Sequence, residues 1–305
     1  MAVLLLIFVL DLLSRGTSVP ILTGHLSLIV SLMTNQPSFR NDHVGEDVAD
    51  LGLSAERLRM VDEVYLSRRI QSEEFRRAAA ASGWKLNRHQ VYRYFAASQW
   101  SDRYNGKRIE DAVVDTVTWR RDFDIRNINL KQIAPIIERG IAYVNGFDRN
   151  GRVIIYFKFG RVGPHEDHET LLKALMHTVE RADILCEESQ SGEFIAVIDF
   201  EGVSLGNMPP FQVIRTAIDL LKLHYPYRLG GIFVMNTGFT FNMIWRMIRP
   251  LLPKLALSKT HIVSFKDRRK ILFTSIGENF LESSYGGKVT PITKASDYFR
   301  RMPSM

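Results

Sequence analysis

The segment Gly202-Val-Ser204-Leu-Gly206 is the first place where residue type and spacing suggest chemistry. It matches the G-x-S-x-G elbow, in which a strand-to-helix turn exposes a nucleophilic Ser. That chemistry needs a helix beginning directly after the Ser, and an acid and a His further along the chain. Asn207-Met-Pro-Pro210 intervenes, and only His224 and His261 follow, one in a helical pattern and one in a strand pattern. The segment therefore reads as a structural turn, with a serine hydrolase through Ser204 the least favoured of three readings. His165-Glu-Asp-His168 with His177 raises a metal site, but acidic residues at a helix start are what the helix dipole favours, and capping is the simpler account. Gly286-Gly-Lys-Val lacks the spacing and the Ser/Thr of a phosphate-binding loop, and no G-x-G-x-x-G occurs. One Cys, Cys186, excludes an internal disulfide framework and a Cys-based zinc cage. No catalytic residue, metal ligand or cofactor is expected on these grounds.

The composition of the 305 residues is 46% apolar and 24% charged, which excludes collagen-like, coiled-coil and wholly disordered chains. A formal charge of +7 is spread along the chain, giving weak attraction to anionic surfaces. There is no zinc finger, aromatic RNA-platform motif or basic region feeding heptads, so nucleic acid is not an expected partner. Ala2–Leu10 is an unbroken apolar run, yet nine helical residues reach only ~14 Å against a hydrocarbon core of ~30 Å. No Lys or Arg precedes it, as a secretory signal would require, and none of the 12 Asn lies in a glycosylation sequon. An uncleaved extension, a mis-set start, a signal and an anchor all remain open.

These residues must be positioned by the elements around them. Residues 1–50 read as an apolar extension and a polar linker, and 51–127 as a helical lobe. Within the lobe, Leu58, Val61, Val64 and Tyr65 mark one face, Val91, Tyr94 and Phe95 another, and Ile109, Val113 and Val117 a third. From 128 to 292 short apolar runs begin at Arg152, Phe194, Gly231 and Thr260, without strict alternation, as strands covered on both faces do. Helical patterns separate them, one spanning Leu172–Val179 and one beginning after Pro209-Pro210. The expected fold class is α/β: an N-terminal helical lobe followed by a largely parallel or mixed sheet flanked by helices. Residues 293–305 read as a C-terminal tail.

One helix differs. From Phe239 to Leu252 the polar residues Asn242, Arg246 and Arg249 form a narrow stripe at i, i+4 and i+7, and the rest of the circumference is apolar. Such a helix must be covered on two sides: either it is buried in the core, or it lies between an apolar cavity and a membrane.

Trp119-Arg120-Arg121, Asp148-x-x-Gly151-Arg152, Val197-Ile-Asp199-Phe-Glu-Gly202, Tyr225-Pro226-x-Arg228-Leu-Gly230, Met235-Asn236, Ile248-Arg-Pro250-Leu-Leu252 and Tyr285-Gly286-Gly287 occur in this order. The ordered set, over about 55–290, resembles the CRAL-TRIO lipid-binding family. The resemblance implies a helical lobe, a sheet flooring an apolar pocket, and a mobile gate helix, which by position is Phe239–Leu252. It implies no enzymatic step. A 16-carbon chain exposed to water costs about 13 kcal/mol, and a closed apolar cavity removes that cost by matching the bilayer. In phosphatidylinositol-binding members a Glu and a Lys hold the headgroup. The matching positions here, about Thr216 and Gly231, carry no charge. An inositol phosphate held that way is thus disfavoured relative to a sterol, tocopherol, retinoid or diacyl lipid.

The leading reading is non-enzymatic binding and transfer, or sensing, of a hydrophobic lipid. The second is a docking or membrane-recruitment module whose cavity is lost. The expected pocket residues are Tyr156, Phe157, Phe200, Phe233, Met235, Phe241, Ile244, Trp245 and Ile248. The expected contacts to an anionic membrane are Arg246, Arg249, Lys254 and Lys259. Gly238 before the gate, and Pro250 and Pro253 after it, bracket it with flexible and stiff points. A cytoplasmic, peripherally membrane-associated monomer is expected.

Overall fold

Helix starts are set by short polar side chains: Ser54, Ser72, Asn87, Asn129 and Asp167 each accept a hydrogen bond from a backbone N–H in the first turn of the helix that follows. The computed structural model describes residues 52–301 except 190 and 293, all within the compact unit Phe39–Met305. The extension and linker expected over 1–50 lie outside the described residues. Helices α1 (Ala55–Tyr65), α2 (Glu73–Ala81), α3 (Arg88–Ala97) and α4 (Ile109–Asp122) build the helical lobe, with a small hairpin of β1 (Arg103–Tyr104) and β2 (Lys107–Arg108) before α4. Its core is formed by Val61, Phe75, Val91, Tyr94, Phe95, Val113 and Val117.

Helix α5 (Leu130–Glu138) leads into a five-stranded mixed sheet in sequential order β3 (Ala142–Phe147), β4 (Val153–Lys158), β5 (Phe194–Asp199), β6 (Leu229–Met235) and β7 (Thr260–Ile262). Strand β3 pairs antiparallel with β4, and the remaining pairs are parallel. The connections are α6 (His168–Glu188), α7 (Phe211–His224), and the pair α8 (Phe239–Ile248) and α9 (Lys254–Ser258). Because parallel crossovers are right-handed and the order is sequential, all of these helices fall on one face of the sheet, here called the front. The back is covered by α10 (Arg268–Ser275) and the segment around 281–285.

Two expectations change here. The edge strand β3 was not foreseen, since Ala-Tyr-Val-Asn-Gly-Phe lacks a long apolar run. The expected tail contains a helix, α11 (Ala295–Arg301), whose Tyr298 is fully buried against the sheet core.

His177, which the sequence raised as a ligand, is buried on α6 beside the rings of Tyr298 and Phe299, and neither ring nitrogen has a hydrogen-bond partner. Burial, assisted by the Arg181 charge, lowers its pKa to about 3, and burial lowers that of His224 to about 4. Unfolded His titrates near pH ~6.5, so the unfolded chain binds more protons below that value. The contribution of both residues is complete above pH ~6.5 and is lost as pH falls toward the folded values. The thermal midpoint should therefore drop between pH 6.5 and 4, and His177→Leu should flatten that drop. An unchanged pH profile in the variant would contradict the assignment.

Candidate functional site

Strand register decides which side chains can meet a ligand. Lys158 and Asp199 are paired across β4 and β5, and Met235 continues the row on β6. Lys158 Nζ lies 3.0 Å from Glu282 Oε2, and the Tyr285 hydroxyl donates to Asp199 Oδ2 at 3.0 Å, so this row faces the back. Side chains alternate along a strand, which puts Tyr156, Val197 and Phe233 on the back as well. Tyr156 stacks between Tyr143 and Tyr285, and Phe233 stacks on His261. Three expected pocket residues, Tyr156, Phe233 and Met235, are therefore core residues behind the sheet; parity, which the sequence left open, separates them from the front.

The front row is Phe157, Ile198, Ile232 and Val234, facing α7 and α8. Phe157 stacks on Phe159 at 5.8 Å between ring centroids, Phe159 meets Phe200 at 6.3 Å, and Phe200 meets Phe241 at 4.9 Å. Trp245 stacks on Phe241 one turn further along α8. This aromatic series joins the carboxyl ends of β4 and β5 to α8. It unites Phe157, Phe200, Phe241 and Trp245 of the expected set, and adds Phe159, which strand parity beyond Phe157 could have flagged. Ile244 is buried on the same helix and Ile248 is half-buried.

Behind the series the apolar side chains are incompletely buried. Ile198 and Ile232 sit in the two central strands yet are only half-buried. Helix α7 is amphipathic, carrying Ile214, Ala217, Ile218 and Leu221, yet has no fully buried residue. It packs on α4, α6 and the turn at Arg249–Leu251. Apolar residues at such positions are ordinarily fully buried in a packed α/β core. Their partial exposure leaves apolar surface on the sheet front and on α7 that neighbouring side chains do not fully cover.

Asn242 and Arg246 on α8 and Arg249 directly after it are exposed while Phe241 and Ile244 point inward, as the spacing requires. Lys254 is exposed at the start of α9. Lys259 differs from expectation: its ammonium donates to the carbonyl of Leu229, lies 3.2 Å from Glu193 and sits over the Tyr227 ring, all at the amino edge of the sheet. It ties β6 to β7 and is not at the α8 surface.

The turn leading into α8 is held from below. Asn236, at φ 52°, donates to Asp199 Oδ1 at 2.7 Å, and Glu201 N–H donates to the same oxygen. A small polar cleft of about 80 Å³ lies here, lined by Lys158, Asp199, Glu201, Asn236 and Arg268 among others. It has room for a few waters and not for an acyl chain. Ser204 is exposed and bonds Asn207, and α7 begins only at Phe211. His224 shares a 2.9 Å hydrogen bond with Thr116 and stacks on Trp119. His165 and His168 are exposed, and Asp167 caps α6. Among the described residues no cluster of three or more His, Cys, Asp or Glu could hold a metal ion.

Residues 137–287 match the family model for the CRAL/TRIO domain, and this part of the chain is a CRAL/TRIO domain. A CRAL-TRIO domain-containing protein of Schizosaccharomyces pombe is 25% identical over 206 residues, covering 67% of this chain and 19% of that protein. The phosphatidylinositol transfer protein PDR17 of Saccharomyces cerevisiae is 22% identical over 218 residues, covering 67% of this chain and 57% of that protein. The chain thus spans less than two-thirds of the length of either relative. The crystal structure of Sfh5 superposes with a TM-score of 0.63 at 17% identity, over 83% of this chain and 94% of that one, which establishes the shared fold.

Proposed function

We propose that this protein binds a hydrophobic lipid between the front of the sheet and helices α7 and α8, and carries it between membranes without chemical change. The observation that supports this most directly is the half-exposed apolar lining of two central strands and of α7, in a domain whose relatives include a named phosphatidylinositol transfer protein. In this reading α8 is the gate. Opening it in water would expose Phe241, Ile244 and Trp245 at roughly 1.5 to 3 kcal/mol each, so it stays shut until those side chains meet acyl chains at a bilayer.

The apolar side chains of the sheet front and of α7 that stay half-exposed support a carrier over a docking module with a filled cavity. A diacyl lipid fits the named relative and an apolar lining. A side chain at Gly231 would meet Ile195 and Phe233 behind the sheet, so this strand position does not hold an inositol phosphate in the pocket. Among the described residues no helix is long and apolar enough to cross a membrane, and contact with the bilayer is proposed as transient and peripheral. Transfer of a fluorescent diacyl lipid from quenched donor vesicles to acceptor vesicles tests the proposal. The expected result is acceleration in proportion to protein concentration; none with phospholipid, sterol or tocopherol probes would overturn it.

A further inference from the structure

The segments that follow β5, β6 and β7 all emerge at the carboxyl edge of the sheet, because these strands are parallel and adjacent. Each presents a large apolar side chain to solvent: Leu205 at 69% exposure, Phe239 at 89% and Phe265 at 82%. One exposed apolar residue is unremarkable on any surface, but three on neighbouring loops at one edge are not. Next to Phe265 runs Lys266-Asp-Arg-Arg-Lys270, with four cations and one carboxylate. That carboxylate, Asp267, is engaged by the Ser264 hydroxyl at 2.7 Å. None of the four cations makes an ion pair among the described residues. Arg268 instead lies over the Phe265 ring at 5.0 Å, and Arg269 over Phe273 at 5.0 Å. Arg268 also borders the cleft with Asn236, Asp199 and Glu201, which fixes the basic run beside the ends of β5 and β6.

Arg268, Arg269 and Lys270 occupy the N-terminal turn of α10, where the helix dipole disfavours positive charge, and Lys266 lies just before it. They have no carboxylate partner to offset that placement, so an anion from outside the chain is the natural complement. Exposed apolar side chains beside a run of Lys and Arg are the pattern of a surface that seats in the headgroup and acyl boundary of an anionic bilayer. Phe239 is the first residue of α8, and Arg246 is exposed on the same helix, so this edge and the outer face of α8 are continuous.

We infer that Leu205, Phe239 and Phe265 with Lys266, Arg268, Arg269 and Lys270 form a docking face for an anionic lipid bilayer, presenting the start of α8 to the membrane. Only its purpose, delivery of a carried lipid, rests on the proposed function; the docking itself is separable.

Sedimentation of the full chain with phosphatidylcholine vesicles, with and without phosphatidylserine, tests it. Binding is expected only with phosphatidylserine and should weaken as salt is raised. Lys266→Glu/Arg269→Glu/Lys270→Glu should lower partitioning at least about a hundredfold, since the loss of three attractions at about fivefold each is augmented by repulsion. Phe239→Ser/Phe265→Ser should lower it about tenfold while leaving the salt dependence in place. Lys266→Gln/Lys270→Gln, with an unchanged circular dichroism spectrum, guards against a folding defect in the charge-reversed protein. Equal binding to both vesicle types, or wild-type binding in all these variants, would overturn the proposal. So would binding of the basic run to RNA or a protein with no uptake by vesicles. Co-purified lipid, read by native mass spectrometry, separates the two ideas: lipid present without sedimentation sinks the docking face, and sedimentation without lipid sinks the carrier.

Discussion

Phe241→Asp and Ile244→Asp are each expected to empty the protein of co-purified lipid, with affinity reduced at least about a hundredfold. Both side chains are buried on the inner face of α8, at 3% and 4% exposure, and Phe241 contacts Phe200 at the end of the aromatic series. A carboxylate there meets apolar surface and cannot be paired without leaving the site, which costs a few kcal/mol in the closed, ligand-bound state. Asn242→Asp, one residue away on the exposed stripe, adds the same charge where water solvates it and should bind lipid as the wild type does. Native mass spectrometry of the three variants reads the difference. Retained lipid in Phe241→Asp would remove α8 from the ligand wall.

Lys158→Met is expected to destabilise the fold by about 3 to 5 kcal/mol, the usual cost of removing one partner of a buried ion pair. Glu282 is fully buried, receives hydrogen bonds from the Tyr143 hydroxyl at 2.9 Å and Asn145 at 2.8 Å, and has Lys158 as its cation. The rings of Tyr143, Tyr156 and Tyr285 surround the ammonium at 5.2 to 5.8 Å. Without Lys158 the carboxylate stays buried and uncompensated. Lys158→Met/Glu282→Leu should recover part of the loss, since it removes the uncompensated carboxylate but leaves the buried Tyr143 hydroxyl without its acceptor. Urea unfolding of both variants checks this, and a single variant as stable as the wild type would contradict it.

The two networks explain what the sequence could and could not reveal. The segments that carried the family resemblance are mostly fold residues. Arg120 pairs with Glu180, which also accepts from Tyr225, and Arg228 pairs with Asp183. Asp148 accepts from the backbone of Asn150 and Arg152 and pairs with the Arg152 side chain. Gly287 lies where a Cβ would sit 2.0 Å from the carbonyl oxygen of Leu281, so only Gly fits. Such residues recur because the chain cannot fold the same way without them, and they announce architecture clearly. The pocket is different chemistry: it asks only for apolar surface, which any core supplies. Period 3.6 separated the inner and outer faces of α8, because its polar stripe is narrow. Strand parity had no such marker, since β4, β5 and β6 are apolar on both faces, and Tyr156, Phe233 and Met235 went to the wrong side. Glu282 and Tyr298 were also hidden, because their partners lie more than a hundred residues away.

The central claim, that lipid enters and leaves by movement of α8 away from the sheet, is tested most directly by holding the two together. Phe200 and Phe241 meet at 4.9 Å between rings, and the lone native thiol, Cys186, is buried. Cysteines at 200 and 241, joined by a disulfide or a short thiol linker in lipid-loaded protein, would fix α8 to the end of β5. Vesicle-to-vesicle transfer is then compared before and after reduction of the same preparation. The account expects transfer to cease in the joined protein, with fold and preloaded lipid retained, and to return on reduction. Transfer at the reduced rate while α8 is still joined would contradict it and place the exit elsewhere.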